Sequence, residues 1–499
     1  MNKTISKVLQ FLLIIIFIKG IAWSLFIPLW QTPDEQAHFG HVAYLAEGGQ
    51  PPMGRNKDLT EEIAISEQLL GTYRDEQGNN SFTYHPEYNF EYSNSQQGIY
   101  EEQIKNLPLE TRFNLVARES AYYPEIYYNL SGLIYKLFYY QNLFIRVFAV
   151  RIFWLIAHVL MIWLAYLIGK LVFPKNKFLA LSVAVLTGFQ PMLTFVASGV
   201  TNDNLHNLLF TALIYFCLKL NQKIRVFNLA GLALTMYLGF INKPQFWISL
   251  GIVIPVLFWR LFNNKQFKLL TGLTIAGVGL LLLITKGHLP YFGGSHLARP
   301  DYTLWQHLQF TLNHTIREVL PWYWGVFRWL SLVLPRWINQ VMMRLLVVVG
   351  IGWLIKLFRR KFEQGIWIIV LSAVVYFLAL FFWDFQHIRN VGFSFGIQGR
   401  YYFPVIVPCL ILIIIGLQSI NKYLTLLVSY WFIFLNWLAF YWVTASYYNV
   451  DNFKTYIIQA SQYKPFFAKG YWLVIPLVLY LIFSIIFSFQ LFKVFCHEK

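Results

Sequence analysis

MNKTISKVLQFLLIIIFIKGIAWSLFIPLW, residues 1–30, is the stretch on which the fold class turns. A short basic start leads into an apolar run of about 20 residues, the length that crosses a bilayer core as a helix. No small-x-small cleavage site follows. The run therefore reads as an uncleaved signal anchor at 8–27, with its N-terminus in the cytoplasm. Further apolar runs lie near 144–173, 178–198, 205–220, 226–242, 245–260, 268–287, 338–358, 364–383, 401–419, 422–444 and 471–493. With the first they predict an all-α polytopic membrane protein of about 12 transmembrane helices.

The composition points the same way. Of 499 residues, 57% are hydrophobic, 19% aromatic and only 13% charged, with mean hydropathy +0.49. Soluble proteins carry about a quarter charged residues, so a soluble enzyme and a disordered chain are both excluded. The net charge of +17 follows from topology. With the N-terminus inside, the inner loops and termini hold 18 cations and only two acids, Glu363 and Glu498; the other 21 acids fall outside. That is the positive-inside pattern. It puts both termini in the cytoplasm and makes nucleic acid no partner. Cys217, Cys409 and Cys496 lie far apart, without metal-ligand or disulfide spacing. No nucleotide phosphate loop or internal repeat is seen.

The chain reads as one membrane domain over 1–499. It has an outer loop at 28–143, helices at 144–287, a second outer loop at 288–337 and C-terminal helices at 338–499. Shorter outer loops lie near 384–400 and 445–470. The spans hold almost no acids; Lys19 and His158 are the cations that sit deep, and Lys19 is expected to snorkel outward.

The first outer loop begins PLWQTPDEQAHFGHVAYLAEGGQPP. Thr32 reads as an N-cap, Pro33 as the first helical residue and Glu35 as the third, a capping box. The helix should run to about Glu47 and stop at Gly48-Gly49. Asp34 and His38 are spaced i, i+4 and share a face. Such a pair could orient a hydroxyl, accept its proton or hold a cation; the bland alternative is that Asp34 and Glu35 only cap the helix. RESAYYPEIYYNLSGLIYKLFYY, 118–140, reads as an interfacial helix, because a span there would invert every later basic loop. Asp203 sits among Asn202, Asn204 and His206 at an outer span end, a cluster that a turn alone could explain. Lys243, in INKP, is a cation against the positive-inside trend. Arg400, in QGRYYFP, offers a fork of donors suited to phosphate oxygens, or to a local carboxylate. LPWYWGVFRWLSLVLPRW, 320–337, reads as an aromatic anchor. These acids and cations come from separate segments, yet one topology places all of them on the outer side.

The PDEQAHF, YYPEIYY, outer TND, INKP, YWGVFRW and QGRYYFP segments together resemble the GT-C superfamily of membrane glycosyltransferases. They look most like a bacterial family of predicted multi-pass membrane proteins without assigned function. That family is similar to protein O-mannosyltransferases and to the aminoarabinose transferases of lipid A. The resemblance implies a GT-C-type bundle and a polyprenyl-phosphate-sugar donor. The acceptor would be a glycan, lipid or protein on the outer face of a bacterial cell membrane. It implies Asp34, Glu35 and His38 as catalytic residues, with Asp34 as base. It implies Asp203, Lys243, Gln398, Arg400 and Tyr401 as substrate-binding, with Lys243 and Arg400 on the lipid phosphate. Asp203 matches an acid that in some relatives helps hold a metal, so a divalent cation, Mg or Mn, is the one cofactor allowed. Glu125 and Arg328 depart from the family pattern, which commonly has another polar group and a glycine there. The runner-up is a transporter or flippase of lipid-linked glycans; a third reading is a scaffold.

Overall fold

The computed structural model describes residues 3–49, 58–75, 78–89, 96–117, 123–262, 302–394 and 396–497. Helix α1 (Lys3–Phe26) is followed by α2 (Glu35–Ala46), α3 (Glu61–Leu69), α4 (Gln96–Lys105) and α5 (Ile126–Leu137). Then come α6 (Leu143–Val172), α7 (Lys177–Phe189), α8 (Pro191–Ala197), α9 (Asp203–Gln222), α10 (Val226–Phe240) and α11 (Leu250–Phe262). The C-terminal part holds α12 (Leu304–His314), α13 (Leu320–Trp324), α14 (Arg336–Arg359), α15 (Ile366–Val391), α16 (Ile406–Ile420), α17 (Lys422–Tyr447), α18 (Phe453–Ala460) and α19 (Val474–His497). Two antiparallel pairs join β1 (Leu59–Thr60) to β2 (Leu115–Val116), and β3 (Val326–Phe327) to β4 (Leu332–Val333).

The chain is an all-α, multi-pass membrane protein. Among the described residues seven helical stretches are long and apolar enough to cross a bilayer alone, and α7 with α8 adds an eighth if the pair is one broken span. Helices α9, α10 and α11 fill three more of the expected runs. The run near 268–287, and the start of the loop expected from 288, lie outside the described residues.

Burial separates the bundle's centre from its lipid-facing rim. The span Gly399–Ile420 is 78% buried, whereas α14, α15 and the α19 span are 17%, 28% and 22% buried. The rim helix α14 meets the central α16 on bare backbone: a Cβ on Gly352 would sit 1.9 Å from the Gly416 carbonyl oxygen. Small residues are what let membrane helices approach this closely.

The break between α7 and α8 has a local cause. Pro191 cannot continue the α7 hydrogen-bond ladder and sits at the first position of α8. The Gln190 side chain caps α8 by accepting from Leu193 N–H. The carbonyls at the end of α7 then lack helical partners. Lys19 supplies one: its Nζ donates to Gly188 O and to Thr194 Oγ1 at 2.8 Å. It is fully buried, so the expected snorkelling does not occur. Asn436 donates to Phe189 O at 3.1 Å and to Thr194 Oγ1 at 3.0 Å, and accepts from Trp23 and Tyr480.

The loop region is fastened to α6 by two buried ion pairs. Glu35 meets Arg151, and Glu62 meets Arg146. Both arginines are fully buried in a helix whose sequence reads as a plain apolar span. Helix α5 lies beside α2 and α6. It buries Tyr127, Tyr128, Ser131 and Tyr135 while exposing Leu130, Leu133 and Leu137. Twelve residues reach only about 18 Å, too short to cross. The apolar outer face suits the expected interfacial placement.

Candidate active site

Helix α2 ends at Ala46 before Gly48, as its sequence predicts, but it begins at Glu35 without the capping box. Thr32 makes no cap bond, and Asp34 takes the N-cap position in left-handed backbone with φ 56°. Glu35 explains the change. Its carboxylate accepts from Arg151 Nε at 2.6 Å, from Val200 N at 3.0 Å and from Trp30 N at 3.2 Å, besides the second Arg151 contact. An arginine fork binds a carboxylate far more strongly than a backbone N–H does, so Glu35 is drawn inward and Asp34 outward. Left-handed backbone at a non-glycine costs about 1–3 kcal/mol and persists only where surrounding contacts hold it.

Asp34 turns toward cations. Arg400 Nη2 lies 3.0 Å from Asp34 Oδ2, and Arg74 Nη1 lies 3.8 Å from Oδ1. Burial pushes the Asp34 carboxyl up, but Arg400, Arg74 and His38 outweigh it and hold the group below the usual carboxylate range. Arg400 arrives because Gly399 lets backbone touch backbone; a Cβ there would stand 2.1 Å from Tyr323 N.

A second pair lies alongside. Lys243 is bonded to Asp203, both nearly buried. Its Nζ stands 5.5 Å from the Tyr123 ring centre and 5.9 Å from that of Tyr401, whose ring also meets Arg400 at 5.3 Å. Tyr401 thus separates two cations. Gln398, Arg400 and Tyr401 line a cavity of about 260 Å³ together with Asp34. Gln398 Oε1 and Arg400 Nε are buried there without a partner.

His38 joins this group through its aromatic neighbours. Its Nδ1 is 2.8 Å from Tyr128 Oη, and its ring stacks with Tyr123 and Tyr128 at 5.9 and 6.0 Å. No side-chain bond links it to Asp34; Nε2 approaches Thr201 Oγ1 at 3.5 Å. Burial lowers its pKa to about 3, against the upward pull of Asp34 and Asp203. His38 is therefore neutral near pH 7. Between its unfolded value near 6.5 and about 3, the unfolded chain binds a proton that the folded chain refuses. Stability should thus fall as pH is lowered through that window, and His38→Gln should flatten the fall when thermal melting is followed from pH 7 to 4. An unchanged pH slope would show that His38 is not the source.

The donor set suits an anion better than a metal ion. Asp34 and Asp203 are each engaged by cations. Among the described residues no three His, Cys, Asp or Glu side chains converge on one point. The divalent cation allowed by the sequence does not fit these residues.

Several contributors carry no local sequence signal. Arg74, Asn79, Thr83 and Tyr84 come from an unremarkable loop stretch, and Trp329 from the segment read as an anchor. Arg328, Trp329 and Leu330 are three consecutive left-handed residues, with φ of 50°, 52° and 65°. Glycine would be the easy choice at 328. Arg328 holds the place by donating to Ser446 O at 3.1 Å and to Asn89 Oδ1 at 2.9 Å. Glu125 stands exposed at the start of α5, where it accepts from the Asn129 amide at 3.4 Å.

Residues 17–409 match the model of a family described as predicted membrane protein (DUF2142). The chain belongs to that family. No curated protein matches the sequence. Two crystal structures of ArnT from Cupriavidus metallidurans resemble this DUF2142 chain at 14% identity. The apo form gives a TM-score of 0.34 over 74% of this chain, which spans 65% of that chain's length. The form bound to undecaprenyl phosphate gives 0.36, over 87% of this chain and 74% of that one.

Proposed function

We propose that this protein is an inverting membrane glycosyltransferase that moves a sugar from a polyprenyl-phosphate donor to an acceptor hydroxyl on the outer face of the cell membrane. The observation that carries the reading is the meeting of Asp34 with Arg400 at the cavity, with the Asp203–Lys243 pair beside it across the ring of Tyr401. Paired acids and cations would let one site hold a phosphate and take up a proton.

In the reaction, the acceptor oxygen bonds to the anomeric carbon and gives its proton to the Asp34 carboxylate. The bond from that carbon to the phosphate oxygen breaks on the opposite side. Arg400 and Lys243 stabilise the charge that develops on the departing lipid phosphate. The Asp34 side chain is 39% exposed, so its proton can pass to water. Glu35 stays out of this chemistry, because Arg151, Trp30 and Val200 occupy its oxygens. Asp203 holds Lys243 in place, and His38 packs with the Tyr123 and Tyr128 rings.

Translocation is the weaker reading. Lys19 and Asn436 each donate to Thr194 and to a carbonyl at the end of α7, a packing network suited to holding helices together. The deciding experiment reconstitutes the purified chain with labelled polyprenyl-phosphate sugars and a panel of envelope acceptors. Labelled product is expected. Movement of the donor across the vesicle without product would favour the flippase reading.

A further inference from the structure

The cavity beside Asp34 has a mixed lining. Asn79, Thr83, Gln398 and Arg400 are polar; Phe327, Trp329 and Tyr401 are aromatic. Its volume of about 260 Å³ falls below the ~300–1,000 Å³ of pockets for drug-sized ligands. It has room for one small ring.

Trp329 is fixed with unusual care. Its Nε1 donates to Trp30 O at 2.9 Å, and its own carbonyl accepts from Tyr84 N at 3.1 Å. Trp30 in turn is bonded to Glu35 and to Ser66. The left-handed turn at 328–330 sets the ring against the cavity, and backbone of this kind is kept where function needs it. A plain membrane anchor needs neither the strained turn nor the bond to Trp30.

From these features we infer that Trp329 is the stacking platform of a single-sugar subsite, which selects a monosaccharide ring by its apolar face. The inference rests on the transfer reading above and adds a residue that recognises a sugar ring. A pyranose carries polarised C–H groups on one face, which favour the negative face of an aromatic ring. Asp34, Asn79 and Thr83 line the same cavity and offer polar groups to the sugar's hydroxyls. The ring could belong to the donor or to the acceptor's end, and the chemistry of recognition is the same.

The test measures binding to the full chain in nanodiscs. The probes are undecaprenyl phosphate, its glucosyl, mannosyl and galactosyl forms, and octyl glycosides of the same sugars beside octanol. Wild type should prefer at least one sugar-bearing probe to its sugar-free partner. Trp329→Ala should reduce that preference about tenfold, the scale of one lost ring stack, while binding bare undecaprenyl phosphate within twofold of wild type. Trp329→Phe keeps a ring, loses the bond to Trp30, and should retain most of the preference. Melting curves of both variants verify folding. A preference unchanged in Trp329→Ala, or a wild-type chain indifferent to every sugar, overturns the inference. Trp329-dependent capture of an octyl glycoside with no binding of any phosphate lipid would support the subsite and overturn the donor reading alone.

Discussion

Asp34→Asn should lower sugar transfer by about 10²–10⁴-fold, the usual contribution of a positioned base, while the protein expresses and melts like wild type. The amide keeps the shape of the side chain and cannot take up the acceptor's proton. Arg400 and Arg74 now hold the carboxylate ionised and weaken it as a base. A lipid phosphate that draws Arg400 to itself would lift part of that restraint, so the base strengthens when the donor is in place. The variant should therefore bind undecaprenyl phosphate at least as well as wild type, because Arg400 loses a competing carboxylate. Full transfer by folded Asp34→Asn would remove Asp34 from the chemistry.

One residue further on, the opposite result is expected. Glu35→Gln leaves Arg151 charged and fully buried without its carboxylate. Breaking a buried ion pair from one side costs about 3–5 kcal/mol, enough to unfold a marginal protein. Loss of folded protein, seen as a lower melting temperature and lower yield from membranes, should come before any specific loss of activity. Replacing both partners with Met should recover part of the stability, since no charge is then stranded. A Glu35→Gln protein that melts normally yet fails to transfer would return Glu35 to catalysis.

The sequence discloses what depends on local chemistry or on counting. The stop of α2 at Gly48, the apolar runs and the amphipathic face of α5 all follow from neighbours in the chain. The topology also predicted that Asp34 and Arg400 share one side, since the positive-inside rule sums over whole loops. Pairing across the chain is different. Arg151 sits mid-helix among apolar residues, and nothing near it in sequence reveals that Glu35 is its partner. That hidden bond is why the capping box failed. Trp329 was hidden for another reason: aromatic residues at membrane interfaces are common, and only the turn at 328–330 distinguishes this one. Lys19 reads as a snorkelling cation because the gap it fills instead, the broken end of α7, is itself a tertiary feature.

Asp34 and Arg400 are 366 residues apart. At about 5–20 residues per second of synthesis, roughly 20–70 s pass between their emergence from the ribosome. Throughout that interval the loop bearing Asp34 exists without Arg400, Tyr401 or the turn that carries Trp329. A nascent chain halted anywhere before residue 400 thus presents a carboxylate but no complete anion site. On the proposed reading, an unfinished protein therefore lacks the arginine that would hold a donor's phosphate beside Asp34.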